Sequence, residues 1–226
     1  MNGLDSSAAA DSTGPNISLY MNGRNFRNGD MVNQNPKLIA DLFDENGINL
    51  TGTIGHKIEV ILNNNENNKI DVTQFYNTLE GYQRGTLEFP LQNLPNGNHT
   101  LKLRAWDTYN NSSISSIDFT VKGTSELALD RIFNFPNPMK DFTSFTFNHN
   151  FDSPLNINIK IYAASGRLIK DITRENVLDK FVKIDWNGKD SDNDNIANGT
   201  YIYKLLVKTQ DGKYSKTDYG KLAVLK

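Results

Sequence analysis

From Leu155 to Tyr162 the chain alternates without a break. Leu155, Ile157, Ile159 and Ile161 are apolar, and Asn156, Asn158, Lys160 and Tyr162 between them are not. Successive side chains of an extended chain point to opposite faces, so a period of two makes one buried face and one wetted face. A helix would scatter the same residues around its circumference, so this stretch is committed to a half-buried strand of an antiparallel sheet. The pattern recurs on both sides of it. "NISLYMNG", "PKLIADLFD", "HKIEVILN", "RGTLEFPL", "HTLKLRAWD" and "SISSIDFTVKG" come before. "TSFTFNHN", "RLIKDIT", "FVKIDWNG", "TYIYKLLVK" and "YGKLAVLK" accompany it later in the chain. Turn signals separate the runs at intervals of roughly ten residues, and no amphipathic helical period competes.

The punctuation is asparagine-rich: "NENNK", "LPNGNH", "TYNNSS" and "DNDN" all join strand-like runs. Asparagine tolerates left-handed backbone and bonds its own turn, so many tight turns and many short strands are expected. At 226 residues the chain has room for two modest domains. The expected fold is all-β, with two tandem immunoglobulin-like antiparallel β-sandwiches. Residues 1–11 read as a disordered leader or expression remnant, 12–123 as the first sandwich and 124–226 as the second. The boundary is set in "VKGTSELALDR", where a strand ends in glycine.

Composition excludes several functions. Net charge is -2, with no basic run that could neutralise a phosphate backbone, so no nucleic-acid partner is expected. There is no cysteine, which removes disulfides, thiolate metal sites and a cysteine nucleophile together. No stretch reaches the roughly 20 apolar residues of a membrane-spanning helix. "MNGLDSSAAADSTG" has no basic region followed by an apolar core, so it does not read as a signal peptide.

Asp190, Asp192 and Asp194 have the one-three-five spacing of a calcium loop, which lets alternate oxygens converge on a hard cation. The rest of that pattern fails, with Asn195 at the glycine position and Tyr201 at the glutamate position. The competing reading is a hairpin tip whose side chains bond local backbone. A second acidic run holds Asp41, Asp44, Glu45 and Asn46, and reads as an exposed Asx-type turn or a shared cation site. His56, His99 and His149 have no ligand spacing and read as partly exposed strand residues. Trp106 and Trp186 each precede a polar turn, and read as core or core-edge residues or as sugar-stacking platforms. No metal, cofactor or catalytic residue is assigned.

The second half carries three ordered motifs. Pro136-Asn137-Pro138 stands before a strand. Ile161-Tyr162 is followed by Ser165-Gly166-Arg167, and Trp186-Asn187-Gly188 by Gly199-Thr200-Tyr201. This arrangement resembles the C-terminal sorting domain of type IX secretion substrates, and the related domain of flagellar hook-capping proteins. In such domains the loop after the tryptophan is a variable polar tip that needs no metal. "DSTGPNISLYMNG", "NPKLIADLFDENGIN", Gly55-His56 and "LPNGNHTLKLRAWDTYNNSS" resemble the segment before that domain in the PorU-like surface peptidases (sortases), which are themselves similar to gingipains.

The resemblance implies a non-catalytic C-terminal part of a cysteine peptidase, exported to the cell surface at the outer face of the outer membrane. Its implied partners are the type IX secretion machinery and an outer-membrane barrel of the PorV kind. An adhesin or carbohydrate-binding tail of another type IX-secreted protein is the alternative, and sequence preceding Asp11 would separate the two. The closing run "DYGKLAVLK" puts Leu222 and Val224 on one face and Ala223 and Leu225 on the other. A terminal strand apolar on both faces is buried by its own sandwich or engaged by a partner, which makes Leu222, Val224 and Leu225 the docking candidates.

Overall fold

The computed structural model describes residues 11–51, 56–79 and 81–226. Of the leader expected over residues 1–11, residues 1–10 lie outside the described residues, and Asp11 is described, half-buried beside Asn46. The alternating runs are strands: β1 (Asn16–Met21), β2 (Met31–Val32), β3 (Lys37–Phe43), β4 (Glu59–Leu62), β5 (Ile70–Asp71), β6 (Tyr76–Thr78), β7 (Arg84–Pro90), β8 (Gly97–Trp106) and β9 (Ser112–Val121). There follow β10 (Leu129–Phe135), β11 (Thr143–His149), β12 (Leu155–Ala163), β13 (Leu168–Val177), β14 (Phe181–Trp186), β15 (Gly199–Thr209) and β16 (Ser215–Val224). A single 3₁₀ turn, Thr73–Phe75, is the only helical element among the described residues. The fold is all-β, with antiparallel sheets packed as immunoglobulin-like sandwiches.

The chain divides into two units, residues 1–30 with 34–121, and residues 31–33 with 122–226. In the first, β1-β3-β7-β6 faces β9-β8-β4-β5. Leu101, Leu103 and Ala105 on β8 are fully buried, while Lys102, Arg104 and Trp106 between them keep contact with solvent. In the second, β10-β11-β14 faces β13-β12-β15-β16. Ile157, Ile159 and Ile161 enter its core with Phe145, Phe147, Trp186 and Leu205. Each such side chain contributes about 1.5–3 kcal/mol by leaving water, so the isoleucine row alone commits β12 to this face.

Both units lay a tyrosine over a glycine. A Cβ on Gly85 would sit 2.2 Å from the Tyr76 ring, and one on Gly220 2.2 Å from the Tyr203 ring. Only glycine permits either approach. The asparagine turns behave as the sequence suggests. Of the eight non-glycine residues at positive φ among the described residues, seven are asparagines: Asn22, Asn63, Asn64, Asn93, Asn110, Asn176 and Asn193. The eighth, Arg131 at φ 54°, marks a register shift in β10 between Asp130 and Phe133. That bulge interrupts the alternation, so β10 begins inside the segment 121–131 in which the sequence sets the domain boundary.

Candidate functional site

β16 is the outermost strand of its sheet and pairs with β15 from Gly199↔Val224 to Lys208↔Ser215. Its far edge is held at one end by the Pro136-Asn137-Pro138 motif. The Asn137 side chain does what a strand backbone would: its Nδ2 donates to the Lys221 carbonyl at 2.9 Å, and its Oδ1 accepts from Ala223 N–H at 2.9 Å. The next residues continue the seam. Met139 N–H donates to the Ala223 carbonyl, and Leu225 N–H to the Met139 carbonyl. Of the three docking candidates, Leu222 and Val224 point into the domain's own core, whereas Leu225 is 60% exposed. The face available at the end of the chain is therefore that of Leu225.

The other motifs shape the loop between β14 and β15. Trp186 is buried, and its Nε1 donates to the Lys189 carbonyl at 2.9 Å. Gly188 takes φ +68° beneath Met139, and Tyr201 Oη donates to the Ala197 carbonyl. Between them, Asp190 Oδ1 accepts the N–H groups of both Asp192 and Asp194, at 3.0 and 2.9 Å. Asn193 takes φ 69° to close that turn. The loop also covers an edge. Ser191 donates N–H and Oγ–H to the Ile169 carbonyl on β13, and Lys170 Nζ donates to the Asp190 carbonyl at 2.7 Å. Asp192 and Asp194 themselves are exposed.

A different set of carboxylates converges. Asp11, Asp44 and Asp107 bring one oxygen each within 4.8 Å of one another, the only such acidic or histidine group of three among the described residues. Asp107, at the end of β8, is completely buried, and Asp44, after β3, is 5% exposed. The second acidic run thus supplies one member, Asp44, which is buried although Glu45 beside it at the turn is exposed. The expected Asx turn does form, with Asp44 Oδ1 accepting Asn46 N–H at 2.8 Å. Asn46 Nδ2 then reaches Asp11 Oδ2 at 2.6 Å. Asn111 donates its N–H and Nδ2 to the two oxygens of Asp107, and its Nδ2 also meets the Asp11 carbonyl.

A cavity of about 230 Å³ opens beside Asp11 and Asp44. Burial, and then the charges of Asp107 and Asp11, push the Asp44 carboxyl above its usual range against the pull of backbone bonds from Asn46 and Gly47. Bonds from Thr13 pull the Asp11 carboxyl down. Hard oxygens at this spacing could hold a divalent cation. Asp41 is not part of the group, because Arg24 binds it with two nitrogens at 2.6 and 2.8 Å. Asp11 and Asp107 carry no local sequence pattern that singles them out.

The histidines are not brought together. His56 lies against Trp106, with ring centroids 4.6 Å apart. His99 and His149 are buried, a correction to the partly exposed reading. His99 stacks on Phe119 and has both ring nitrogens partnered, by Pro95 and Asn63. His149 Nε2 meets the Asp179 carbonyl at 2.8 Å, while its Nδ1 has no partner. Burial pulls that imidazole down to about 4.

Comparison with known proteins agrees with the motif reading of the second unit. Residues 134–217 match the family model described as the secretion system C-terminal sorting domain. Over its whole length the chain is similar to dimeric latent PorU from Porphyromonas gingivalis, at 28% identity and a TM-score of 0.51. It spans 21% of that PorU chain. A β-glucuronidase of Parabacteroides merdae is more distant, at 9% identity over 93% of this chain and 24% of its own, with a TM-score of 0.39. No curated protein matches.

Proposed function

We propose that this chain is the non-catalytic C-terminal part of a PorU-like cell-surface cysteine peptidase, serving export by the type IX secretion system and docking at the outer membrane. Residues 134–217 are a secretion-system sorting domain. One observation carries the step beyond that, namely the similarity to PorU that runs the full length of the chain, first unit included. The chain has no cysteine, so a catalytic thiol of such a peptidase would have to stand outside it. The docking partner in this reading is an outer-membrane barrel of the PorV kind, met at the Leu225 end of β16.

The buried and exposed faces of β16 shape the test. Deleting Lys221 to Lys226 removes Leu222 and Val224 from the core, so loss of export in that variant is confounded with unfolding. Leu225→Asp leaves the core untouched. The chain is fused behind a periplasm-directed reporter in a type IX-bearing bacterium, and surface reporter is measured by protease shaving. Surface display that depends on the secretion machinery and is lost in Leu225→Asp, with unchanged circular dichroism, is the expected result. A reporter that stays periplasmic with the native chain would overturn the export reading. Full display of Leu225→Asp would overturn the docking role of that residue.

A further inference from the structure

The charge of the chain is unevenly divided. Residues 122–226 hold sixteen lysines and arginines against thirteen aspartates and glutamates, although the whole chain is net -2. Part of this excess is gathered on the outer face of the β13-β12-β15-β16 sheet. The register sets Lys160 on β12 directly opposite Lys204 on β15, and Lys204 opposite Tyr219 on β16. One step along, Tyr162, Ile202 and Lys221 form a second row, and Lys208 stands at the other end opposite Asn156 and Ser215. These residues alternate with the buried isoleucines, Tyr201, Tyr203, Leu205 and Leu222, so they share the outward face.

Two features separate this face from an ordinary solvated one. Like charges directly opposite on neighbouring strands destabilise a sheet, and Lys160 with Lys204 is such a pair. Lys160 pairs with Asp171, 3.5 Å away and on the side opposite to Lys204. Large apolar and aromatic surface also lies among the cations. Tyr219 is 62% exposed with Lys204 Nζ 5.9 Å over its ring, and Ile202 is 43% exposed.

We propose that this face docks on the phosphate-bearing headgroup layer of an anionic lipid surface. All four cations are lysines, which act as point charges suited to a diffuse negative field. A carboxylate on a protein partner would be gripped better by the planar fork of arginine. Tyrosine rings have an apolar body and a polar tip, the combination that settles at headgroup depth beside lysine stems. The attraction falls away within a Debye length, so contact is salt-sensitive. The proposal goes beyond the export reading, and binding by the purified chain is read whether or not that chain is exported.

The test is flotation of the purified chain with vesicles of equimolar phosphatidylglycerol and phosphatidylcholine, against vesicles of phosphatidylcholine alone. Binding only to the anionic vesicles, weakening as salt is raised, is expected. Lys160→Gln with Lys204→Gln should weaken it roughly 30-fold, about fivefold for each cation removed from the surface field. Lys183→Gln with Lys189→Gln makes the same charge change away from this face and should leave binding within about twofold, while melting temperatures confirm that both variants fold. Three results overturn the proposal. These are no preference for anionic vesicles, equal weakening by the two pairs, and capture on polyglutamate beads without vesicle binding, which would make the partner an acidic protein.

Discussion

Each unit gathers three aspartates, and the two groups are built in opposite ways. Asp190, Asp192 and Asp194 are close in sequence and fan outward, with one carboxylate turned back to cap the backbone of the other two. Asp11, Asp44 and Asp107 are distant in sequence and converge within 4.8 Å, where two of the three are buried. The spacing that attracts attention lies in the first group, and the geometry that can bind a cation lies in the second. Alternate positions guarantee proximity of Cα atoms, not of oxygens. A short loop whose first aspartate accepts two backbone N–H groups has committed that carboxylate to the turn. Convergence needs separate chain segments, here the ends of β3 and β8 and the residues leading into β1.

The largest separation of the two units comes from acid. The His149 imidazole is pulled down to about 4 by burial in the second unit, against an ordinary value of 6.5. Its folded pKa lies below its unfolded one, so the unfolded chain takes up the proton first. Stability is full above about pH 6.5 and falls toward pH 4, by about 3 kcal/mol at the limit. Urea unfolding followed through Trp186, in a Trp106→Phe background, should show this loss between pH 7 and pH 4.5. His149→Gln keeps a donor toward Asp179 and should flatten the slope. An unchanged slope in His149→Gln would assign it to the carboxylates.

The next effect tests the buried trio. Asp107→Ala strips the acceptors from Asn111 inside the first unit and should cost about 1–3 kcal/mol. Asp44→Asn keeps the Asx acceptor and removes the charge that its neighbours oppose. The Asp44 carboxyl is raised on folding, so its favourable contribution belongs to acid pH and is lost as pH rises through the folded value. In buffer holding a chelator at pH 7, Asp44→Asn should therefore melt at or above the parent, and Asp107→Ala below it. If Asp44→Asn melts several degrees lower there, the carboxylate is needed for more than its turn.

What could be read in advance follows the same division. Strands such as β8 and β12 are legible because alternation is local and each buried isoleucine or leucine enforces it. β10 is not, because its bulge at Arg131 breaks the period. The Asn137 clamp is visible only as a motif, since nothing local says that its amide will pair with Lys221 and Ala223 at the far end of the domain. Asp107 looks like any aspartate after a strand. Its place beside Asp11 and Asp44 is a property of how the sheets stack.

The smallest effect belongs to the exposed aspartates of the β14–β15 loop. Asp192 and Asp194 contribute their backbone N–H groups to the turn, which any residue can supply, and their carboxylates stand in solvent. Asp192→Ala with Asp194→Ala should shift the stability of the second unit by no more than about 0.5 kcal/mol, as for most surface changes. Asp190→Ala removes the acceptor of two N–H groups and should cost about 1 kcal/mol more than the double change. The loop also shields the β13 edge at Ile169, so its loosening should appear first as faster hydrogen exchange at Ser191, whose N–H donates there. Thermal melts of the three proteins, with and without added calcium, decide the matter. A calcium-dependent rise in the parent that vanishes in Asp190→Ala and in the double variant would make this loop a cation site, and the contrast with the buried trio would collapse.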